Sequence, residues 1–368
     1  MGLTLEDIGR LAGVSRSTVS RVVNGDARVR PEVRARVQEI ISETGYTPHL
    51  AARSLVSNRS GVVGLVIPSG VHRLFDDPYF AELIAGITAS SNEAGVVLTL
   101  FLLHTEDEER ALYPRIVDTG FLDGVLVTAT RMDDPLVGRL VGHDLPLVMI
   151  GRPDRSGVSY VDVDNRGGAA LAARHLVDCG HRRIGTISAP ANTTTGRERL
   201  DGLVDELARL GRPLDPALCV DGGYSEDGAY RAMRTLVDRG ADAVFAASDT
   251  MAFGALRAAA DLGVDVPGDV GLVGFDGFDV ERPGRRELTT IRQPVQANAE
   301  RAVAMLLGQI ADRRAGRAHP MGEILPVALV PGSTTRARAP IPCSPPVARR
   351  VSDPSHTVEP SHQMESPS

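Results

Sequence analysis

Long apolar runs are missing from this 368-residue chain. No stretch approaches the roughly 18 to 20 consecutive apolar residues that a membrane span requires. The first residues, MGLTLEDIGR, have neither the basic nor the apolar section of a secretory signal, so the expectation is a cytoplasmic protein with no membrane partner. Cysteine is scarce as well: Cys179, Cys219 and Cys343 stand far apart and form no CxxC-type metal spacing. The first two are expected to be buried thiols and the third an unpaired tail residue. Catalytic motifs are absent too, with no GxSxG elbow, no phosphate-cradling GxxxxGK[ST] and no paired carboxylates tied to a cleft. His72, His104, His143, His175 and His181 are scattered, as surface or helix-end residues would be. The expectation is therefore no catalytic residue, no metal and no cofactor.

What is present bounds the architecture. At 42% hydrophobic, a chain of this length is too long for one core and apolar enough for two or three. The net charge of -7 hides an asymmetry. Residues 1–59 hold nine Arg against six Asp or Glu, giving +3, so the remaining 309 residues carry -10. A basic module on an acidic body suits a polyanion contact confined to one end.

The pattern along the chain divides it. Residues 1–46 read as three short helices: Thr4 caps the first with Asp7 at the capping-box position, Ser15 caps the second, and Pro31 opens a third that stops at Gly45. Residues 47–60 form a linker whose HLAARSLVS turns helical only if something packs on it. From Gly61 to about 338, apolar strand runs such as VVGLVI, GVLVTA, AVFAAS and VGLVGFDG alternate with amphipathic helices. That alternation marks an α/β fold with two doubly wound parallel sheets, joined here to an N-terminal all-α domain. Residues 339–368 are Pro- and Ser-rich and bury too little to offset their ordering entropy, so disorder is expected.

The stretch GVSRSTVSRVVNG needs explaining, because hydroxyls and arginines alternate there with valines on one short helix. With the helix before it and the turn at Gly13 it makes a helix-turn-helix, whose second helix lies in the DNA major groove. Val19, Val22 and Val23 face inward, leaving Arg16, Ser17, Ser20 and Arg21 outside. Hydroxyls at a helix start suit phosphate oxygens, and arginine reads guanine bidentately.

LTLEDIGRLAGVSRSTVSRVVNG, followed by VRPEVRARVQEIISETGYTPHLAARSL, closely resembles the headpiece and hinge of the lactose and galactose repressor family of bacterial transcription regulators. The resemblance runs on through nearly all of residues 3–336, in DPYFAELIAGI, VDVDNRGGAALAARHLVDCGHRRIG, RERLDGL, ASDTMAFGALRAA, VGLVGFDG, LTTIRQP and GSTTR. It implies that Arg16, Ser17 and Arg21 read bases. It implies phosphate contacts for Thr4, Ser15, Thr18, Asn24 and Tyr46, and a minor-groove wedge at Leu55, with Ala52 on the same face of a hinge helix. Two-fold operators imply a homodimer on a palindrome, and the tail holds no leucine heptad for a tetramer.

The body resembles periplasmic sugar-binding proteins, with a ligand cleft between two discontinuous subdomains. By that resemblance the first takes about 61–163 plus 294–324 and the second about 164–293 plus 325–338. Asp276 follows the strand GLVGF, Ser248 follows AVFAA, and Arg199 opens the RLDG turn; with Tyr79, Phe80 and Tyr224 they are the expected effector-binding residues. Ser248 stands where many relatives have Asn, and VPGSTT replaces the usual basic residue before GST, so the last strand is expected to join the core differently. The function implied is a repressor of a carbohydrate uptake or catabolism operon, released from a palindromic operator by a sugar-like inducer. The alternatives are a regulator with a purine-like co-repressor or a non-regulatory sugar-binding protein.

Overall fold

Thr4 and Asp7 close the first turn of α1 (Leu5–Ala12) reciprocally: Asp7 N donates to Thr4 Oγ1 at 3.3 Å, and Thr4 N donates to Asp7 Oδ2 at 2.9 Å. In this computed structural model the described residues are 3–23, 26, 28–46, 60–68, 77–103, 105–117, 120–128, 131–143, 145–278, 287–314, 316 and 319–336. Asn24, Ala52, Leu55, His72, His104, Cys343 and the segment 339–368 lie outside them. After Gly13 the chain enters α2 (Arg16–Val23), and Pro31 starts α3 (Pro31–Thr44). The turn between α1 and α2 is tight enough that a Cβ on Gly9 would sit 2.8 Å from Val14 O. Ile8, Ala12, Val19, Val22, Val37 and Tyr46 close a small core, with Val14 and Val23 packed at its edge.

The first of two six-stranded sheets contains β1 (Val62–Ile67), β2 (Val97–Leu102), β3 (Gly124–Thr128), β4 (Leu147–Ile150) and β5 (Ser159–Val163). Its helices are α4 (Pro78–Glu93), α5 (Glu106–Val117) and α6 (Pro135–Gly142). Strand residues alternate between faces. Val63, Leu65 and Ile67 pack on one side with Leu83 and Ile87 of α4, while Val62 and Val66 pack on the other with Leu136 and Leu140 of α6. Apolar side chains on both faces explain the unbroken VVGLVI run.

After β5 the chain enters α7 (Asn165–Asp178) and builds the second sheet from β6 (Ile184–Ser188), β7 (Cys219–Asp221), β8 (Ala243–Ala246), β9 (Gly271–Asp276) and β10 (Thr289–Arg292). Between them lie α8 (Thr194–Arg209), α9 (Glu226–Asp238) and α10 (Asp249–Leu262). Three links join the lobes. The first follows β5; the second leads from β10 into α11 (Val295–Arg314), which packs on α4 and lies against the first sheet. The third connects β11 (Gly322–Leu325) with β12 (Ala328–Val330). The sheet orders are β11-β5-β4-β3-β1-β2 and β12-β10-β9-β8-β6-β7. All pairings are parallel except β10 with β12. VPGSTT follows that antiparallel edge and is anchored by Thr334, whose hydroxyl donates to Leu272 O at 2.7 Å and accepts from Thr289 N at 2.9 Å.

Two local expectations need correction. Cys219 is only half-buried, because β7 is an edge strand, whereas Cys179 is buried. His181 does close a helix end, its N donating to Leu176 O at 3.1 Å, but it is not a surface residue: its ring is buried, with Nδ1 3.6 Å from Asp242 Oδ1.

Candidate functional site

Both sheets turn the carboxyl ends of their strands toward one cleft, the place where doubly wound sheets hold ligands. Thr128, Ile150 and Asp162 reach it from β3, β4 and β5; Ser248, Asp276 and Gln293 reach it from the ends of β8, β9 and β10. All six effector-binding residues expected from the sequence line this cleft: Tyr79, Phe80, Arg199, Tyr224, Ser248 and Asp276. Sequence reasoning missed Asp77, Arg152, Asp162, Asn165, Gln293 and Asn298, which line it too. The strand-end rule finds two of these, since Asp162 lies one residue before the end of β5 and Gln293 follows TTIR.

A hydrogen-bonded chain runs through the cleft floor. Asn165 Nδ2 donates to Asp162 Oδ1 at 3.1 Å, and Asn165 Oδ1 accepts from Arg199 Nε at 2.9 Å. Arg199 Nη1 donates to Ala247 O at 2.6 Å and to Asp276 Oδ1 at 3.4 Å, and Gln293 Nε2 donates to Asp276 Oδ1 at 2.6 Å. The guanidinium lies 3.6 Å from the Phe275 ring centroid, so its plane is fixed by stacking as well as by hydrogen bonds. Arg199 and Asp276 are each only 4% exposed.

Asp276 is held in an unusual backbone state. Its φ is 126°, in a region disfavoured by any residue with a Cβ and costing about 1–3 kcal/mol. Gly277 follows at φ 82°, where a Cβ would come within 2.5 Å of Arg292 Cβ. The carboxylate of Asp249 accepts from Gly277 N at 2.8 Å, Phe278 N at 3.1 Å and Thr290 Oγ1 at 2.6 Å, pinning this turn from behind. Burial pushes Asp276 well above the usual carboxylate range; Arg199 opposes the rise and Asp249 adds to it. Burial also raises Asp249, against the three donors that favour its charge. Asp162 and the phenol of Tyr79 are raised by burial likewise.

Ser248 has a second task, since its Oγ accepts from Met251 N at 3.2 Å as the N-cap of α10. Tyr79 and Phe80 meet edge to face with centroids 5.3 Å apart. Bonds also cross the cleft at its rims: Thr250 Oγ1 donates to Asp77 Oδ1 at 3.3 Å, Thr194 Oγ1 to Arg152 O at 2.7 Å, and Met132 N to Asn192 O at 2.7 Å.

On the headpiece, Arg16, Ser17 and Arg21 of α2 are exposed, while Val19 and Val22 are buried on its opposite face. Ser15 Oγ lies 2.8 Å from Ser17 Oγ and 2.9 Å from Thr18 Oγ1, a hydroxyl cluster at the start of α2. Thr4 is exposed but its hydroxyl is engaged with Asp7. Tyr46 is 7% exposed, so its ring serves the headpiece core. Asn24, Ala52 and Leu55 fall outside the described residues. Among those residues, no helix is long and apolar enough to cross a membrane, and no group of three or more His, Cys, Asp or Glu side chains is placed to hold a metal ion.

A two-lobed ligand-binding core joined to a helix-turn-helix headpiece defines a ligand-responsive DNA-binding protein. Comparison with known proteins agrees. A profile of bacterial regulatory proteins of the lacI family matches residues 4–49, and one of the periplasmic binding protein-like domain matches residues 173–335. The chain is 38% identical over 312 residues to the HTH-type transcriptional regulator CelR of Thermobifida fusca, covering 83% of this chain and 92% of that one. It is 33% identical over 317 residues to the HTH-type transcriptional repressor PurR of Proteus mirabilis (strain HI4320), covering 84% and 91%. Among solved structures, a CelR–cellobiose complex matches with a TM-score of 0.71 at 35% identity, over 90% of this chain and 99% of that one. A lac repressor dimer bound to operator and the anti-inducer ONPF matches with a TM-score of 0.79 at 25% identity, over 92% and 100%. The protein belongs to the lacI family of bacterial regulatory proteins, and it is a helix-turn-helix transcriptional regulator.

Proposed function

We propose that this regulator is a repressor whose hold on a palindromic operator is set by a saccharide bound between its lobes. The observation that carries the reading is the chain Asp162–Asn165–Arg199–Asp276–Gln293, which fixes a guanidinium beside a carboxylate in a buried cleft. A donor and an acceptor held side by side match vicinal hydroxyls, and the faces of Tyr79, Phe80 and Tyr224 supply the apolar walls a sugar ring needs. The cleft is open at its mouth and holds about 850 Å³ of space with that mouth included. Three aspartates, Asp77, Asp162 and Asp276, face two arginines, Arg152 and Arg199, which favours a neutral polyol. The described complex of CelR with cellobiose supports the same class. The cleft is assigned no chemistry: the effector is bound and released unchanged.

In this reading Arg16, Ser17 and Arg21 meet base edges, while Ser15, Thr18, Thr4, Asn24 and Tyr46 serve phosphates. Ala52 and Leu55 form the minor-groove hinge, two copies of the chain match the operator's two-fold symmetry, and the protein works in the cytoplasm. The test is retention of random duplex DNA by the purified protein at fixed salt, with sequencing, in the presence and absence of glucose, maltose and cellobiose. A palindrome released by one of these sugars is the expected result. A palindrome retained only when hypoxanthine is added would instead establish the co-repressor alternative.

A further inference from the structure

Asn298 is the fourth residue of α11, at the end of its first turn, on the wall of the cleft formed by the first lobe. Its backbone is spoken for, with N donating to Pro294 O at 2.9 Å, but its side-chain Oδ1 is buried and has no hydrogen-bond partner among the described residues. The residue is only 2% exposed. A buried amide oxygen left unpaired is costly, and native proteins pair nearly all such groups. Three other described side chains hold an unpartnered buried polar atom: Ser91, Arg152 and His181. Ser91 and His181 do not line the cleft, and Arg152 has Glu198 3.1 Å away as an ion-pair partner. Asn298 alone combines a cleft position with an acceptor that nothing in the described protein answers.

The opposite wall sharpens the point. Ser248 offers a hydroxyl whose oxygen already caps α10, so it supplies less to a ligand than an amide at that place would. Ser248 thus adds little to the polar set on the second lobe, which includes Asn165, Arg199, Asp276 and Gln293. We infer that Asn298 is a specificity residue of the cleft, taking a hydrogen bond from a saccharide hydroxyl that points toward the first lobe. This rests on the saccharide reading given above. A ligand bound this way touches polar groups of both lobes, and one presenting an apolar edge to α11 leaves the amide unpaired and is rejected.

The test uses the full-length protein and the variants N298L and N298Q. Binding of glucose, maltose, cellobiose and hypoxanthine is followed by calorimetry, and unfolding of each ligand-free protein by thermal melts. The expected result is that N298L binds the recognised sugar at least tenfold more weakly, that N298Q recovers part of the loss, and that ligand-free N298L melts no lower than the parent. The last result follows because an apolar side chain removes an unpaired buried polar group. Equal affinity of N298L and the parent for the same sugar overturns the inference and leaves the saccharide reading standing. A fall of several degrees in the melting temperature of ligand-free N298L shows the amide to be structurally satisfied, and overturns the inference without any ligand. Binding of hypoxanthine and of no sugar overturns the saccharide reading itself, and with it the hydroxyl partner named here.

Discussion

Asp249 and Asp276 are two buried carboxyl groups with different duties: Asp276 faces the cleft, whereas Asp249 accepts three hydrogen bonds that hold the turn behind it. A carboxyl whose folded pKa is raised holds its proton more firmly in the folded protein than in the unfolded chain. The stability it contributes is therefore fully present below the ordinary carboxylate value, and is lost as pH rises through the raised folded value. For Asp249 that window opens at 3.8 and extends to about 7. D249N keeps acceptors for Gly277 N and Phe278 N and donates to Thr290 Oγ1, yet never charges. Its melting temperature should match the parent near pH 4 and exceed it at pH 8; a separation independent of pH in thermal melts rejects the assignment. Asp276 accepts best from sugar hydroxyls when ionised, so saccharide affinity measured by calorimetry should fall on acidification from pH 8, well before pH 4 is reached. Replacing Arg199 by Met leaves Asp276 buried without its cation. That change should lower unfolding free energy by about 3–5 kcal/mol in urea titrations.

At the scale of elements, the headpiece was legible because its signals are local. Thr4 with Asp7, Pro31, Gly13 and Gly45 each fix a helix end through their own backbone chemistry, and the valines of α2 alternate with polar residues at helical spacing. The two sheets were legible for a similar reason, since strands covered on both faces read as unbroken apolar runs. Asp276 was also accessible, because strand carboxyl ends are where such sheets place ligands. Other features depend on distant partners and leave no local trace. The burial of His181 is set by Asp242 and Gly271, and that of Tyr46 by packing against the other headpiece helices. The missing partner of Asn298 is a fact about the cleft, not about QANAE. The functional split on α2 yields a prediction of its own. R21A, which removes an exposed donor proposed to read a base edge, should cost about 1–3 kcal/mol of operator affinity and relax selection at one base pair. T18A should weaken all duplexes evenly. Both are read from competition between operator and random DNA, and equal selectivity loss in the two variants would remove the assignment of roles. All 40 basic residues of the chain are arginine, so each cation presented to DNA has the planar fork suited to guanine and to phosphate.

For the whole molecule, the contacts that span the cleft decide how an effector is felt elsewhere. Thr250 with Asp77 joins the lobes by a hydrogen bond at one place, and Thr194 with Arg152 does so at another, where Arg152 also pairs with Glu198 at 3.1 Å. Each contributes about 1 kcal/mol, small against a saccharide gripped from both sides. A ligand shifts the lobes only to the extent that it binds one arrangement better than the other. The link between cleft and operator must then be reciprocal: the factor by which the sugar changes operator affinity is the factor by which operator changes sugar affinity. T250V, which deletes a rim bond without touching Arg199 or Asp276, should alter that factor by severalfold and leave affinity for the operator in the absence of sugar close to that of the parent. The measurement is a pair of titrations, operator at saturating and zero sugar, then sugar at saturating and zero operator. Unequal factors in the parent protein would mean that the sugar acts through a second site. Equal factors that T250V does not change would place the coupling in the floor of the cleft, where Asp162 of the first sheet is joined through Asn165 to Arg199 and Asp276 of the second lobe, and not in its rim.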